Sequence, residues 1–168
     1  MPIVKPPVPL DSLDWSVPSV FLAGSIEMGI AEDWQTRAGT AICAHVDALV
    51  LNPRRDSWDA SWEQSYDNPM FREQVQWELS GLERADHVLL FLSPGTKSPI
   101  TLLELGLHAR SGRLIVACPE GFWRRGNVQT VCHRYRVPMF DALEDALEAL
   151  RNRIDQVRAF QTSIHTAS

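Results

Sequence analysis

Lysine is nearly absent from this chain: Lys5 and Lys97 are the only two in 168 residues. Positive charge is therefore carried by arginine, whose planar fork suits flat acceptors better than an ammonium does. The formal net charge is -5, which argues against a nucleic acid polymer as partner, because duplex binding selects a basic face. One small anion held locally stays possible. Cysteine is equally sparse. Cys43, Cys118 and Cys132 are far apart, form no CxxC pair and have no zinc-ligand spacing to histidine. Cys132 next to His133 is the closest approach to such a cluster, and a functional role for it is not expected. No apolar leader and no run long enough to cross a membrane is present. These absences lead to the expectation of a cytoplasmic protein with no metal, no cofactor and no membrane contact.

What is present is ordinary globular material, with 45% hydrophobic and 22% charged residues. Its length fits one domain with a sizeable core. Residues 1–18 hold five prolines and read as an extended arm. Residues 19–160 read as a single α/β domain, and 161–168 as a flexible tail.

Within the domain, short apolar runs alternate with helical patterns. Strands are expected at residues 19–23, 48–51, 87–92 and 114–117, with a short fifth near 136–139. Helices are expected at 31–45, from about 70 to 84, at 99–111 and at 143–160. The run HVLLFL at 87–92 is apolar throughout, as a central parallel strand should be. Strand–helix alternation predicts a doubly wound, flavodoxin-like parallel sheet of about five strands with helices on both faces. Ligands of such sheets sit outside the carboxyl ends of the strands, where the strand order reverses. Three loops would converge there: 24–33, 52–59 and 93–98.

The most informative stretch is Ser98-Pro99-Ile100-Thr101-Leu102-Leu103-Glu104-Leu105-Gly106. Ser98 suits a helix N-cap and Pro99 the first helical position. At helical spacing Lys97, Thr101, Glu104, His108 and Ser111 form one polar stripe, which either faces water or starts at the crevice. A second acid, Glu78, lies in the preceding helix. Cleaving a glycosidic bond commonly needs two carboxyl groups, one to attack the anomeric carbon and one to manage protons. The loop Asn52-Pro53-Arg54-Arg55-Asp56-Ser57-Trp58-Asp59 combines arginine forks, an acid and an indole that together could hold a flat polar ligand. Gly24-Ser25 offers backbone amides after the first strand, without a full dinucleotide or P-loop pattern.

Phe21-Leu22-Ala23-Gly24-Ser25, Asn52-Pro53-Arg54-Arg55, Phe71 to Trp77-Glu78, Ser98 to Glu104-Leu105-Gly106, and Gly126-Asn127-Val128 together resemble the nucleoside 2-deoxyribosyltransferase family, in its deoxyribosyltransferase-like branch. The likeness runs from about Ser19 to Pro138. It implies that Glu104 is a nucleophile forming a glycosyl-enzyme ester, and that Glu78 handles the base and its proton. The family has an aspartate at the latter position, so this carboxylate reaches one methylene further. Asn127 would match an asparagine offered from a neighbouring subunit, which implies a homo-oligomer. Phe21 replaces a tyrosine that contacts the nucleophile. Gly24, Ser25, Asn52, Arg54, Asp56, Trp58, Phe71 and Ser98 would line the substrate site.

Ser98 departs from typical members, which carry a base-gripping aspartate there; the related nucleotide N-hydrolases have a serine that touches the 5′-phosphate. The implied reaction is base exchange on 2′-deoxynucleosides, with nucleosides, nucleotides and free nucleobases as partners. Completion by water, giving an N-glycosidase, is the nearest alternative. A non-catalytic nucleotide sensor or a flavodoxin-like electron carrier would share the fold.

Overall fold

The structure is a computed structural model that describes residues 3–26, 32–57, 59 and 61–166. Six strands form one parallel sheet: β1 (Ile3–Val4), β2 (Ser19–Gly24), β3 (Leu49–Leu51), β4 (His87–Phe91), β5 (Leu114–Ala117) and β6 (Met139–Phe140), in the order β1-β3-β2-β4-β5-β6. Four α-helices among the described residues connect them, α1 (Trp34–His45), α2 (Pro69–Arg84), α3 (Pro99–His108) and α4 (Arg125–Tyr135), and α5 (Leu143–Thr166) follows β6.

The four inner strands are apolar along their length because both faces are covered. Val20, Leu22, Val50, Leu89 and Ile115 pack under α1 and α5 with Trp34, Ile42, Leu150 and Ile154. Phe21, Ala23, Leu51, Leu90 and Val116 pack on the other side with Trp77, Leu105, Val128 and Cys132, from α2, α3 and α4. At about 25 cal/mol per Å² of apolar area, this double core dominates stability. The chain winds outward from β2 to β3, then returns across it to β4 on the other side. The strand order therefore reverses between β2 and β4, and the crevice expected of such folds lies at their carboxyl ends.

Three features were not legible in the sequence. First, Ile3–Val4 is not free arm but an edge strand, paired in parallel with Val50 and Leu51; a two-residue run carries no periodicity to detect. Second, α4 fills a stretch to which no element was assigned, because Arg125–Tyr135 is polar on most of its surface and buries only Val128 and Cys132. The strand after it begins at Met139 rather than near 136, since Arg136 takes a left-handed turn at φ 56° to end the helix. Third, α5 continues to Thr166, into the stretch expected to be a flexible tail. Among the described residues no helix is long and apolar enough to cross a membrane.

Candidate active site

Glu104 lies in the second turn of α3, the helix that leaves the carboxyl end of β4. The middle of its stripe does not face water, although Lys97 and Ser111 at its ends are exposed. Thr101, Glu104 and His108 are buried at 4%, 9% and 8% exposure, while Ile100, Leu103 and Leu107 stand out at 61%, 58% and 59%. Polar side chains thus share the inward side of this helix with Leu102 and Leu105, while three large apolar residues point outward. Such an arrangement costs free energy, so its persistence calls for a use.

Glu78 comes from α2, and its carboxyl is withdrawn from water among Glu104 and Gln74. Burial pushes the Glu78 carboxyl above its ordinary range, with the Gln74 hydrogen bond acting the other way. Burial first, and then the Glu78 charge, push Glu104 up to about 8. Among the described residues, no cation is among the charges that act on either group. The Glu78 charge thus adds to burial in disfavouring ionisation of Glu104, which keeps its proton near neutrality.

The pair is positioned by the packing beneath it. Phe21, fully buried, packs against Trp77 with ring centroids 6.1 Å apart. Gly81, one turn after Trp77, lies so close to Phe21 that a Cβ there would sit 2.8 Å from its ring. The absent side chain lets α2 settle on β2 and sets the depth of Glu78. Trp77 Nε1 also donates to the Val8 carbonyl at 2.8 Å, tying the proline-rich arm to this helix.

At the carboxyl ends of β2 and β4, three hydroxyls form a closed triangle. Ser25 Oγ lies 2.5 Å from Ser98 Oγ and 3.0 Å from Thr96 Oγ1, and Thr96 Oγ1 lies 2.8 Å from Ser98 Oγ. Ser25 Oγ also accepts from the Ser93 amide at 3.0 Å. Ser98 does begin α3, but not as a side-chain cap: its backbone is left-handed at φ 45° and its hydroxyl makes no cap bond. The triangle holds that uncommon backbone in place. The Ser25 amide, expected to be free, donates to the Phe91 carbonyl at 3.0 Å. Gly24 is required for contact: at φ 153° a Cβ would lie 2.4 Å from the Phe91 carbonyl oxygen.

The loop after β3 divides its residues between site and scaffold. Asn52 is fully buried; its Oδ1 accepts from the Arg54 amide at 2.9 Å, and its Nδ2 has no partner among the described residues. Arg54 turns toward α1, donating to the Glu32 carbonyl at 3.3 Å and pairing with Asp33 at 3.5 Å. Asp56 pairs with Lys5 at 2.6 Å and is 78% exposed, on the arm side of the loop. Arg55 pairs with Glu73 at 3.0 Å and covers the Trp62 ring. Trp58 lies outside the described residues. Phe71 is half-buried in the first turn of α2, where its amide donates to the Asn68 cap.

Asn127 is not brought to Glu104. It is exposed on α4, in a groove of about 350 Å³ with Leu102, Leu105, Gly106 and Trp123. At 100° per residue, that groove lies on the flank of α3 away from Glu104. The Cys132 thiol is buried in the core and pushed up to about 11, chiefly by burial, so a pairing with His133 gains no support.

Gln74 was missed. It is buried in α2, and its Nε2 donates to Glu78 Oε1 at 2.7 Å and to the Pro53 carbonyl at 2.9 Å. Its i, i+4 spacing from Glu78 was the available signal. Gln35, fully buried in the first turn of α1, was also missed; neither of its polar ends has a partner among the described residues. With Asn52 Nδ2 and Gln74 Oε1, the carboxyl edge of the sheet holds several buried amide groups left unmatched, where a polar ligand or water is the usual complement.

A family model for nucleoside 2-deoxyribosyltransferase-like proteins matches residues 17–122. A search of curated proteins returns no match. Among solved structures, the crystal structure of a conserved protein from Enterococcus faecalis V583 superimposes with a TM-score of 0.60 at 10% identity, over 82% of this chain and 99% of that one. At that identity the likeness concerns the fold alone. The matched span includes Glu78, Ser98 and Glu104, leaves Asn127 beyond its end, and covers well over half of the sequence; the chain belongs to the nucleoside 2-deoxyribosyltransferase-like family.

Proposed function

We propose that the protein exchanges the base of 2′-deoxynucleosides through a covalent intermediate on Glu104. The observation that carries this reading is the acid pair of buried Glu104 and half-buried Glu78 at the carboxyl edge of the sheet, with no cation among the charges acting on it from the described residues. The reactive form of the pair has Glu104 ionised and the shared proton on Glu78. The Glu104 carboxylate attacks C1′ and the bond from C1′ to the base nitrogen breaks. Glu78 gives its proton to that nitrogen, leaving a deoxyribosyl ester, a neutral free base and the Glu78 carboxylate. A second base then attacks C1′, loses its proton to Glu78 and expels the Glu104 carboxylate. Splitting one displacement into two, with both groups already in place, lowers the barrier. Two inversions give net retention.

Hydrolysis of a deoxynucleoside 5′-monophosphate is the second reading, and Ser98 favours it. Its hydroxyl is buried with those of Ser25 and Thr96, where an aspartate would add charge. One assay tests both: deoxynucleosides and their monophosphates, each incubated with and without a second free base. Exchange predicts a new nucleoside only when the acceptor is present. Sugar release that ignores the acceptor and prefers the monophosphate supports hydrolysis.

The expected homo-oligomer has a candidate surface in the outward stripe of α3. Ile100, Leu103 and Leu107 follow i, i+3, i+7 spacing, so two copies can pack the same stripe against itself about a twofold axis. Asn127, turned away from its own Glu104, is exposed in the neighbouring groove between α3 and α4 and is available to a second copy.

A further inference from the structure

Gln74 combines three properties that packing alone does not require. It is buried at 4% exposure. Its amide NH₂ donates to two acceptors, the Pro53 carbonyl at 2.9 Å and Glu78 Oε1 at 2.7 Å. The first of these belongs to the loop after β3, so the amide is clamped by a different element from the one that carries Glu78. A group held from both sides in this way fixes the rotamer of the carboxyl it touches.

We propose that Gln74 is the positioning residue of the acid pair: anchored on Pro53, it holds Glu78 as the resting carboxylate and keeps the shared proton on Glu104 until substrate arrives. This rests on the base-exchange reading for its purpose, although not for its test. The argument turns on which carboxyl better tolerates charge. Burial disfavours ionisation of both, but Glu78 receives a hydrogen bond that offsets part of this, whereas Glu104 has no such donor among the causes acting on it and faces the Glu78 charge as well. A protonated Glu104 is a poor nucleophile, so the free protein is kept unreactive. It becomes reactive when the proton passes to Glu78 and on to the leaving base, and Gln74 then stabilises the carboxylate left behind.

The surrounding charges do not compete for this role. On the same loop and helix, Arg55 and Glu73 are paired with each other at 3.0 Å. On α3, Thr101 and His108 share the face of Glu104, but the charges acting on His108 are Arg113 and Glu83.

The test is a side-chain carboxyl titration of the substrate-free protein by NMR with labelled glutamate, the signals being assigned with Glu78→Gln and Glu104→Gln. In the wild type, Glu78 is expected to titrate in the lower step of the pair and Glu104 in the upper step near 8. In Gln74→Met, which keeps volume but removes the donor, the Glu78 step should rise by about one pH unit, while the Glu104 step stays near 8. An unchanged Glu78 step, or a proton resting on Glu78 in the wild type, overturns the proposal. If the Met variant does not fold, Gln74→Asn, which keeps an amide too short to span both acceptors, serves in its place with the same expected shift. Turnover gives a second readout: kcat should fall about tenfold, with KM within about twofold. A wild-type protein that releases no base from any nucleoside sinks the exchange reading and leaves the titration result standing.

Discussion

Glu104 and Glu78 reach each other from two different helices, and the negative charge of the second raises the proton affinity of the first. Most buried carboxylates are stabilised by a neighbouring arginine or lysine. Here neither group has such a partner among the charges acting on it, and stability has been given up at this point in the fold.

That loss is measurable. The folded-state affinity of Glu104 for a proton is raised to about 8 from an ordinary 4.5, so its contribution is most favourable below pH 4.5 and is lost as pH rises toward 8. Glu104→Gln removes the ionisation. It should leave stability unchanged near pH 4.5 and increase it at pH 8 by on the order of 3 kcal/mol, while abolishing turnover. Chemical denaturation at the two pH values checks this.

Activity should follow a bell in pH. Below the lower step both carboxyls are protonated and no nucleophile exists. Above about 8 the pair has lost its last proton, and no acid is left for the departing base. The profile of kcat/KM between pH 5 and 10 should therefore fall on its alkaline side near 8. A rate that stays level through pH 9.5 contradicts the shared-proton account.

Gly81 gives a prediction whose sign opposes simple propensity. Alanine in a helix interior is ordinarily better than glycine by about 1 kcal/mol. At Gly81 the new methyl would sit 2.8 and 2.9 Å from the ring of Phe21, which is fully buried and cannot swing aside. Gly81→Ala should therefore destabilise by about 1–3 kcal/mol and lower kcat, because α2 must lift and carry Glu78 with it. Thermal unfolding together with kinetics tests both parts.

The outward leucines of α3 separate assembly from catalysis. Leu103→Glu and Leu107→Glu place charge on a face exposed within one chain, so the fold should survive with Tm changed by only a few degrees. If a second copy covers this face, light scattering should show the wild type as a dimer or higher and the variants as monomers. Activity should fall with the loss of assembly if Asn127 serves the neighbouring site.

How far the sequence could lead is clear from particular residues. The inner strands were legible because residues such as those of β4 are apolar on both faces. The Ser98–Glu104 segment was legible because its spacing ties a helix start to an acid. Three things were hidden, each for a physical reason. The inward turn of Thr101, Glu104 and His108 on α3 was invisible because a polar stripe reads as a solvent face whichever way it points. The Ser25–Thr96–Ser98 triangle joins residues 71 and 73 positions apart, a closeness that only the pairing of β2 with β4 creates. The Asp56–Lys5 pair drew a site candidate away to the arm, and that arm was not expected to enter the sheet at all.

The central claim is a bond between Glu104 and a sugar carbon. It is tested most directly by intact-protein mass spectrometry after brief incubation with deoxynucleosides and their monophosphates, followed by peptide mapping. The account predicts a mass increase of one deoxyribosyl group, or its phosphate, on the peptide carrying Glu104, discharged by a second base or by water and absent in Glu104→Gln. Release of free base with no adduct at residue 104, at rates that survive this substitution, would contradict it.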